Sequence, residues 1–172
     1  MMTSSPLLHA FPPIADERAH TLILGSMPGE ASLQAGQYYA HPRNLFWPMV
    51  AEVMGFSADL PYPDRCAALQ ASGCALWDVL ATCERTGSLD ADIRNGTPND
   101  FPAFFADYPH ITRVFFNGST AEGEFRRKVM PRLEPGEGRP LTLCRLPSTS
   151  PAYAALPRAE KIKRWREAWK DQ

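Results

Sequence analysis

The sequence predicts an α/β protein built in three layers, α/β/α, around a central four-stranded parallel sheet. Short apolar runs of strand length alternate along the chain with segments of helical period, and each parallel crossover requires an intervening helix. The 172 residues suit a single domain spanning 1–172, which at this size buries about 70% of its unfolded surface without a disulfide or metal staple. No segment repeats.

Residues 1–14 (MMTSSPLLHAFPPI) hold three prolines and no period, and read as an extended arm. The first strand follows over 19–24. It breaks at Gly25-Ser26-Met27-Pro28-Gly29, where two glycines permit a close backbone approach that a side chain would block. From 29 to 43 the chain reads as an irregular loop rich in small and aromatic residues, and a loop this long in a compact domain is usually functional. Leu45, Val50, Val53 and Met54 then mark a helix over 45–54 that stops at Gly55. Pro48 is tolerated in its first turn, where backbone N–H groups lack intrahelical acceptors.

A second helix is expected over 64–72, from a capping Asp64 to Gly73. The apolar run 74–80, interrupted only by Asp78, reads as the second strand. Residues 82–98 are polar and glycine-bearing, a surface loop able to lie beside a site. Phe101, Phe104, Phe105 and Tyr108 give a short helix, 111–116 the third strand, and Ala121, Phe125 and Val129 the inner face of the next helix. A Gly/Pro/Glu-rich linker over 131–140 leads to the fourth strand, 141–146. The last helix, from about 158, sets Ile162, Trp165, Ala168 and Trp169 on one face and cations around the other.

Composition excludes several classes. The four cysteines (Cys66, Cys74, Cys83, Cys144) form no CxxC pair or Cys/His cluster, so zinc and iron-sulfur sites lack their spacing, and no metal or cofactor is expected. Reduced thiols suit a cytoplasmic protein. No basic region followed by an apolar run opens the chain, and nowhere do 18 apolar residues occur in succession, so a soluble monomer without a membrane partner is expected. The net charge of −1 is unevenly spread: residues 1–112 carry 5 Lys/Arg against 12 Asp/Glu, and residues 113–172 carry 13 against 7. The basic half is able to face phosphates.

In open parallel sheets, ligands gather at the carboxyl ends of the strands. The residues leaving those ends are 25–29, Asp78, Asn117-Gly118-Ser119 and 147–150. Four stretches of small or polar residues therefore converge on one edge.

These stretches carry a resemblance. GSMPG, then YYAHPRNLFW, and much later LPSTSPAYA, are together similar to the uracil-DNA glycosylase superfamily, most closely to its hypoxanthine-DNA glycosylase branch. The resemblance covers about 20–170 by the order as well as the content of the motifs. It implies the uracil-DNA glycosylase fold and a monofunctional enzyme of base excision repair, acting on DNA that contains deaminated bases, with hypoxanthine preferred. No lysine lies in the matched motifs to form a Schiff base. Mismatch-specific uracil glycosylases share the middle motif but carry a polar residue where this chain has Met27, and a thioether cannot orient water. A uracil glycosylase, or a damage-binding module that has lost its chemistry, are the alternatives.

Residue by residue, the resemblance implies catalysis by Asn44, whose amide holds water or stabilises the charged sugar rather than taking a proton. The competing reading of Asn44 is a helix cap. Tyr39 falls where the superfamily stacks an aromatic on the flipped base, with Tyr38 as the alternative. Asp78 stands where uracil-specific relatives read the base edge; an ionised carboxylate only accepts, which favours hypoxanthine, whose N1 carries hydrogen, over adenine. A buried structural Asp is the other reading. Gly25, Ser26, Met27, Pro28 and Gly29 shape the pocket and face base or phosphate. Arg43, Asn117, Gly118 and Ser119 are placed on the DNA, and Ser148, Thr149 and Ser150 grip phosphates, unless they form only a proline-flanked turn. Tyr153 wedges into the gap left by the base. His41 either contacts DNA or fixes its own loop.

Overall fold

In the computed structural model, which describes residues 5–133 and 140–170, four strands pair in parallel: β2 (Thr21–Gly25), β3 (Cys74–Asp78), β6 (Arg113–Asn117) and β7 (Thr142–Leu146), in the order β3-β2-β6-β7. Every residue of β2 and β3 is buried, as expected of strands covered on both faces. The two-residue period of a strand divides their side chains between two cores. Leu22, Leu24, Ala75, Trp77, Val114 and Phe116 pack under α4 (Phe101–Asp107) and α5 (Ser119–Glu124). Ile23, Leu76 and Phe115 face α2 (Phe46–Met54), α3 (Tyr62–Ala71) and α6 (Arg158–Lys170). This is the α/β/α sandwich expected from the sequence.

A second sheet was not expected. β1 (Leu7–His9), β4 (Leu80–Glu84) and β5 (Arg94–Pro98) form an antiparallel sheet in the order β1-β4-β5. It corrects two readings: the arm 1–14 contributes a strand, and the loop 82–98 holds most of a hairpin. The apolar run 74–80 is in fact two strands. At the join, the N–H groups of Val79 and Leu80 donate to the carbonyls of Gly25 and Ser26 at 2.8 and 3.2 Å, so the run follows the loop after β2 before turning into the second sheet.

The stretch 29–43 is not wholly irregular, since Glu30–Ala35 forms a short helix, α1, closed by Gly36 at φ 65°. α3 begins two residues before Asp64, with Pro61 at its cap position, so Asp64 lies in the first turn instead of capping it. After α5 the chain widens into a π turn, Phe125–Val129, and tightens into a 3₁₀ turn, Met130–Arg132. Residues 134–139 of the expected linker and 1–4 of the arm lie outside the described residues. Among the described residues, no helix is long and apolar enough to cross a membrane.

Candidate active site

The carboxyl ends of the parallel strands open on a cleft of about 1160 Å³. Its walls include Gly25, Ser26, Met27, Pro28 and Gly29 after β2, Asp78 at the end of β3, Asn117, Gly118 and Ser119 after β6, and Ser148, Thr149, Ser150 and Tyr153 after β7. Tyr39, His41, Arg43 and Asn44 complete it from the segment between α1 and α2. Every candidate named from the sequence thus borders one cavity.

Gly25 sits in register with Asp78 across the sheet. A Cβ at Gly25 would come 2.5 Å from Asp78 Oδ1 and 2.7 Å from Tyr39 Oη, so only glycine leaves room for both groups. Asp78 is 3% exposed and its Oδ2 has no hydrogen-bond partner. Burial raises its carboxyl to about 7; the charge of Asp90 adds to the rise and Arg85 opposes it. Tyr39 has a left-handed backbone, φ 55°, a strained state for a non-glycine residue that its surroundings must hold. Its ring stacks on Phe46 with centroids 4.1 Å apart. Burial, then the charge of Asp78, keeps its hydroxyl protonated, with Asn117 opposing. Tyr38 is held differently: its hydroxyl donates to the Pro12 carbonyl at 2.8 Å, and its carbonyl accepts from Trp47 Nε1 at 2.8 Å. It is buried and also lines the cleft.

Asn44 combines two positions. Its Oδ1 accepts from the N–H of Phe46, the first residue of α2, at 2.9 Å, and the residue also lines the cleft. The next residue, Leu45, donates its N–H to the Thr149 carbonyl at 3.0 Å, tying the second motif to the third. Thr149 is 1% exposed. Its hydroxyl accepts from Asn117 Nδ2, and its N–H donates to Asn117 Oδ1, both at 2.9 Å. These two side chains therefore lock the turn after β7 onto the end of β6, leaving Ser148 and Ser150 as the less buried hydroxyls of that turn. His41 turns inward on its own loop, its Nδ1 accepting from the Arg43 N–H at 3.0 Å.

Several bordering residues were not singled out from the sequence. Ser88, Leu89 and Asp90, in the β4–β5 connection, line the cleft; their only signal was membership of a polar loop. The Ser26 hydroxyl donates to Asp90 Oδ1 at 2.7 Å. Arg145 and Arg164 stand at the cleft as well, in surface pairs with Glu122 at 3.7 Å and Glu160 at 3.1 Å. Such pairs hold their cations only weakly. Arg85 is fully buried and donates to the Pro28 carbonyl, supporting the loop after β2 from behind.

Fold and cleft together define an α/β protein with its cleft at the carboxyl ends of a parallel sheet, where ligands of such folds gather. Residues 12–171 match the model of the Uracil DNA glycosylase superfamily, and the chain belongs to that superfamily. Two curated relatives, each named hypoxanthine DNA glycosylase, are similar over 116 residues, 67% of this chain and 73% of theirs. The protein of Methanosarcina barkeri is 37% identical and that of Methanosarcina acetivorans 36%. A solution NMR structure of a proposed uracil DNA glycosylase from Methanosarcina acetivorans superposes with a TM-score of 0.78 at 30% identity, over 96% of this chain and 98% of that one.

Proposed function

We propose that the protein is a monofunctional DNA glycosylase that hydrolyses the N-glycosidic bond of deaminated nucleotides in DNA, with hypoxanthine the preferred base. The observation that carries the choice of base is the buried carboxyl of Asp78, whose Oδ2 has no hydrogen-bond partner and whose Oδ1 shares the space over Gly25 with the Tyr39 hydroxyl. In its ionised form it accepts the N1–H of hypoxanthine, a donor that adenine lacks at that position. The names of the two curated relatives agree.

In this reading a flipped base lies on the face of Tyr39 turned away from Phe46. Unstacking it costs a few kcal/mol, offset by the aromatic surface and the polar edge contact. Backbone N–H groups of the 25–29 loop meet base or phosphate, and Asn44 holds the attacking water or the developing positive charge of the sugar. Ser148, Ser150, Arg43, Arg145 and Arg164 border the cleft where the flanking phosphates run, with Tyr153 at its rim. No lysine among the described residues lines the cleft, which favours hydrolysis over a Schiff-base lyase step. The reading takes 1–172 as one glycosylase domain, working as a monomer in the cytoplasm, where its four free thiols stay reduced.

The test measures alkali-cleavable abasic sites formed from oligonucleotides bearing inosine, uracil or xanthine, each in single and double strands. Inosine consumed fastest is the expected result. Uracil consumed faster makes the protein a uracil glycosylase, and the absence of cleavage on all three substrates removes the enzymatic reading.

A further inference from the structure

Four large apolar side chains are exposed among the described residues: Leu7, Leu89, Met130 and Tyr153. Two of them border the same cleft, Leu89 from the β4–β5 connection and Tyr153 from the segment after the edge strand β7. A single exposed leucine needs no explanation, but the backbone that presents Leu89 is fastened on both sides. Before it, the Ser88 hydroxyl accepts from the Glu30 N–H at 2.9 Å, and Ser88 packs so closely that a Cβ on Gly29 would come within 3.3 Å of its Oγ. After it, Asp90 accepts from the Ser26 hydroxyl at 2.7 Å, and the Leu89 carbonyl accepts from the Asp92 N–H at 3.1 Å. One tether runs to Ser26 in the loop that shapes the pocket and the other to Glu30, the first residue of α1, which follows that loop. The leucine between them is 55% exposed, an apolar tip on a fixed base.

Tyr153 is held in a comparable way. Lys161, itself buried, donates Nζ to the Tyr153 carbonyl at 2.6 Å and lies 5.0 Å from the centre of its ring. Two fixed apolar tips bordering one cleft match the chemistry of a base stack opened at one step, where an apolar side chain takes the place of lost stacking.

We propose that Leu89 is a second wedge, entering duplex DNA from the β4–β5 side while Tyr153 enters from the side of β7. This rests on the DNA glycosylase reading. One wedge fills the space the base has left, and the other props the neighbouring step apart. A single strand has no stacked partner to hold open, so the contribution of Leu89 belongs to duplex substrate.

The experiment compares Leu89→Ala, Leu89→Met and the wild-type chain in single-turnover excision of deoxyinosine from a duplex and from the same strand unpaired. The expected result is a fall of at least about tenfold in the duplex-to-single-strand rate ratio for Leu89→Ala, with Leu89→Met within about threefold of wild type and melting unchanged in both. An unchanged ratio overturns the proposal. Equal losses on both substrates also overturn it, since they place Leu89 in the pocket or the fold, and so does wild-type activity confined to single strands. A wild-type chain inactive on every substrate defeats the glycosylase reading itself, whereas an active wild type with an unaltered Leu89→Ala ratio defeats only the wedge.

Discussion

Asp78→Asn is expected to remove a pH dependence from both stability and catalysis. Burial, reinforced by Asp90 and opposed by Arg85, holds the Asp78 carboxyl at about 7, against an ordinary value of 3.8. Between those values the folded chain keeps a proton that the unfolded chain has already released. Stability is therefore greatest below the lower value, falls as pH rises, and levels off above the higher one. A gap of roughly 3 pH units corresponds to about 4 kcal/mol, at about 1.36 kcal/mol per unit. Asparagine does not titrate, and the ionisable groups that do not interact with Asp78 cancel in the difference between the two proteins. Urea unfolding at a series of pH values from about 4 to about 8 should show the wild-type chain losing about 4 kcal/mol relative to Asp78→Asn. The same titration should appear in catalysis. Wild-type kcat/KM for deoxyinosine should rise with pH through about 7 as the accepting carboxylate forms, a profile that reports the free enzyme, and Asp78→Asn should lack that limb. A stability difference flat to within about 1 kcal/mol would refute the buried titration, and a wild-type pH–rate profile in the variant would refute base reading by Asp78.

Asn44→Ser keeps an oxygen able to accept from the Phe46 N–H, so near-normal melting is expected while single-turnover excision falls at least about a hundredfold, roughly 2.7 kcal/mol. Near-normal excision by the folded variant would leave Asn44 as a cap alone. Gly25→Ala drives a methyl group to 2.5 Å from Asp78 Oδ1, and such overpacking is expected to cost about 1–3 kcal/mol in denaturant unfolding and more than about tenfold in excision; wild-type rates would show that the pocket yields there. DNA affinity should fall with salt by a slope of about 0.9 per phosphate neutralised, measured by fluorescence anisotropy, and a salt-independent affinity would remove the basic face from the interface.

The parallel sheet was legible because the middles of β2, β3 and β6 are buried and read as short apolar runs: Leu22-Ile23-Leu24 and Val114-Phe115-Phe116, each ended by a glycine-bearing turn, have strand length and flanks. The antiparallel sheet was not. β5, Arg94-Asn95-Gly96-Thr97-Pro98, is a largely exposed edge strand with no apolar alternation and Thr97 its one β-branched residue, and β1 has only three residues. The join at Val79 was hidden by apolar residues on either side of it. α1 did leave a signal, since Gly36 stands where a left-handed cap closes a helix, but six residues are too few to show a period. Within the cleft, Asn44 and Tyr39 were named through the resemblance of their motif to a known family, and Asp78 also as the one charge in an apolar strand; all three border the cavity. Asp90 was hidden because its place depends on a hairpin that the sequence does not announce, through a bond to Ser26 that spans 64 positions.

The bond from the Leu45 N–H to the Thr149 carbonyl gives this fold a built-in order of completion. Leu45 belongs to the first third of the chain, whereas Thr149 follows β7, the edge strand that pairs last in sequence with β6. Contacts of such separation form only after the loop-closure entropy has been met. A chain cut before residue 140 lacks β7 and the wall of the cleft that Ser148, Thr149, Ser150 and Tyr153 supply. The cleft is therefore finished only when β7 and the turn after it have joined the sheet, so that partly made molecules do not carry its full lining.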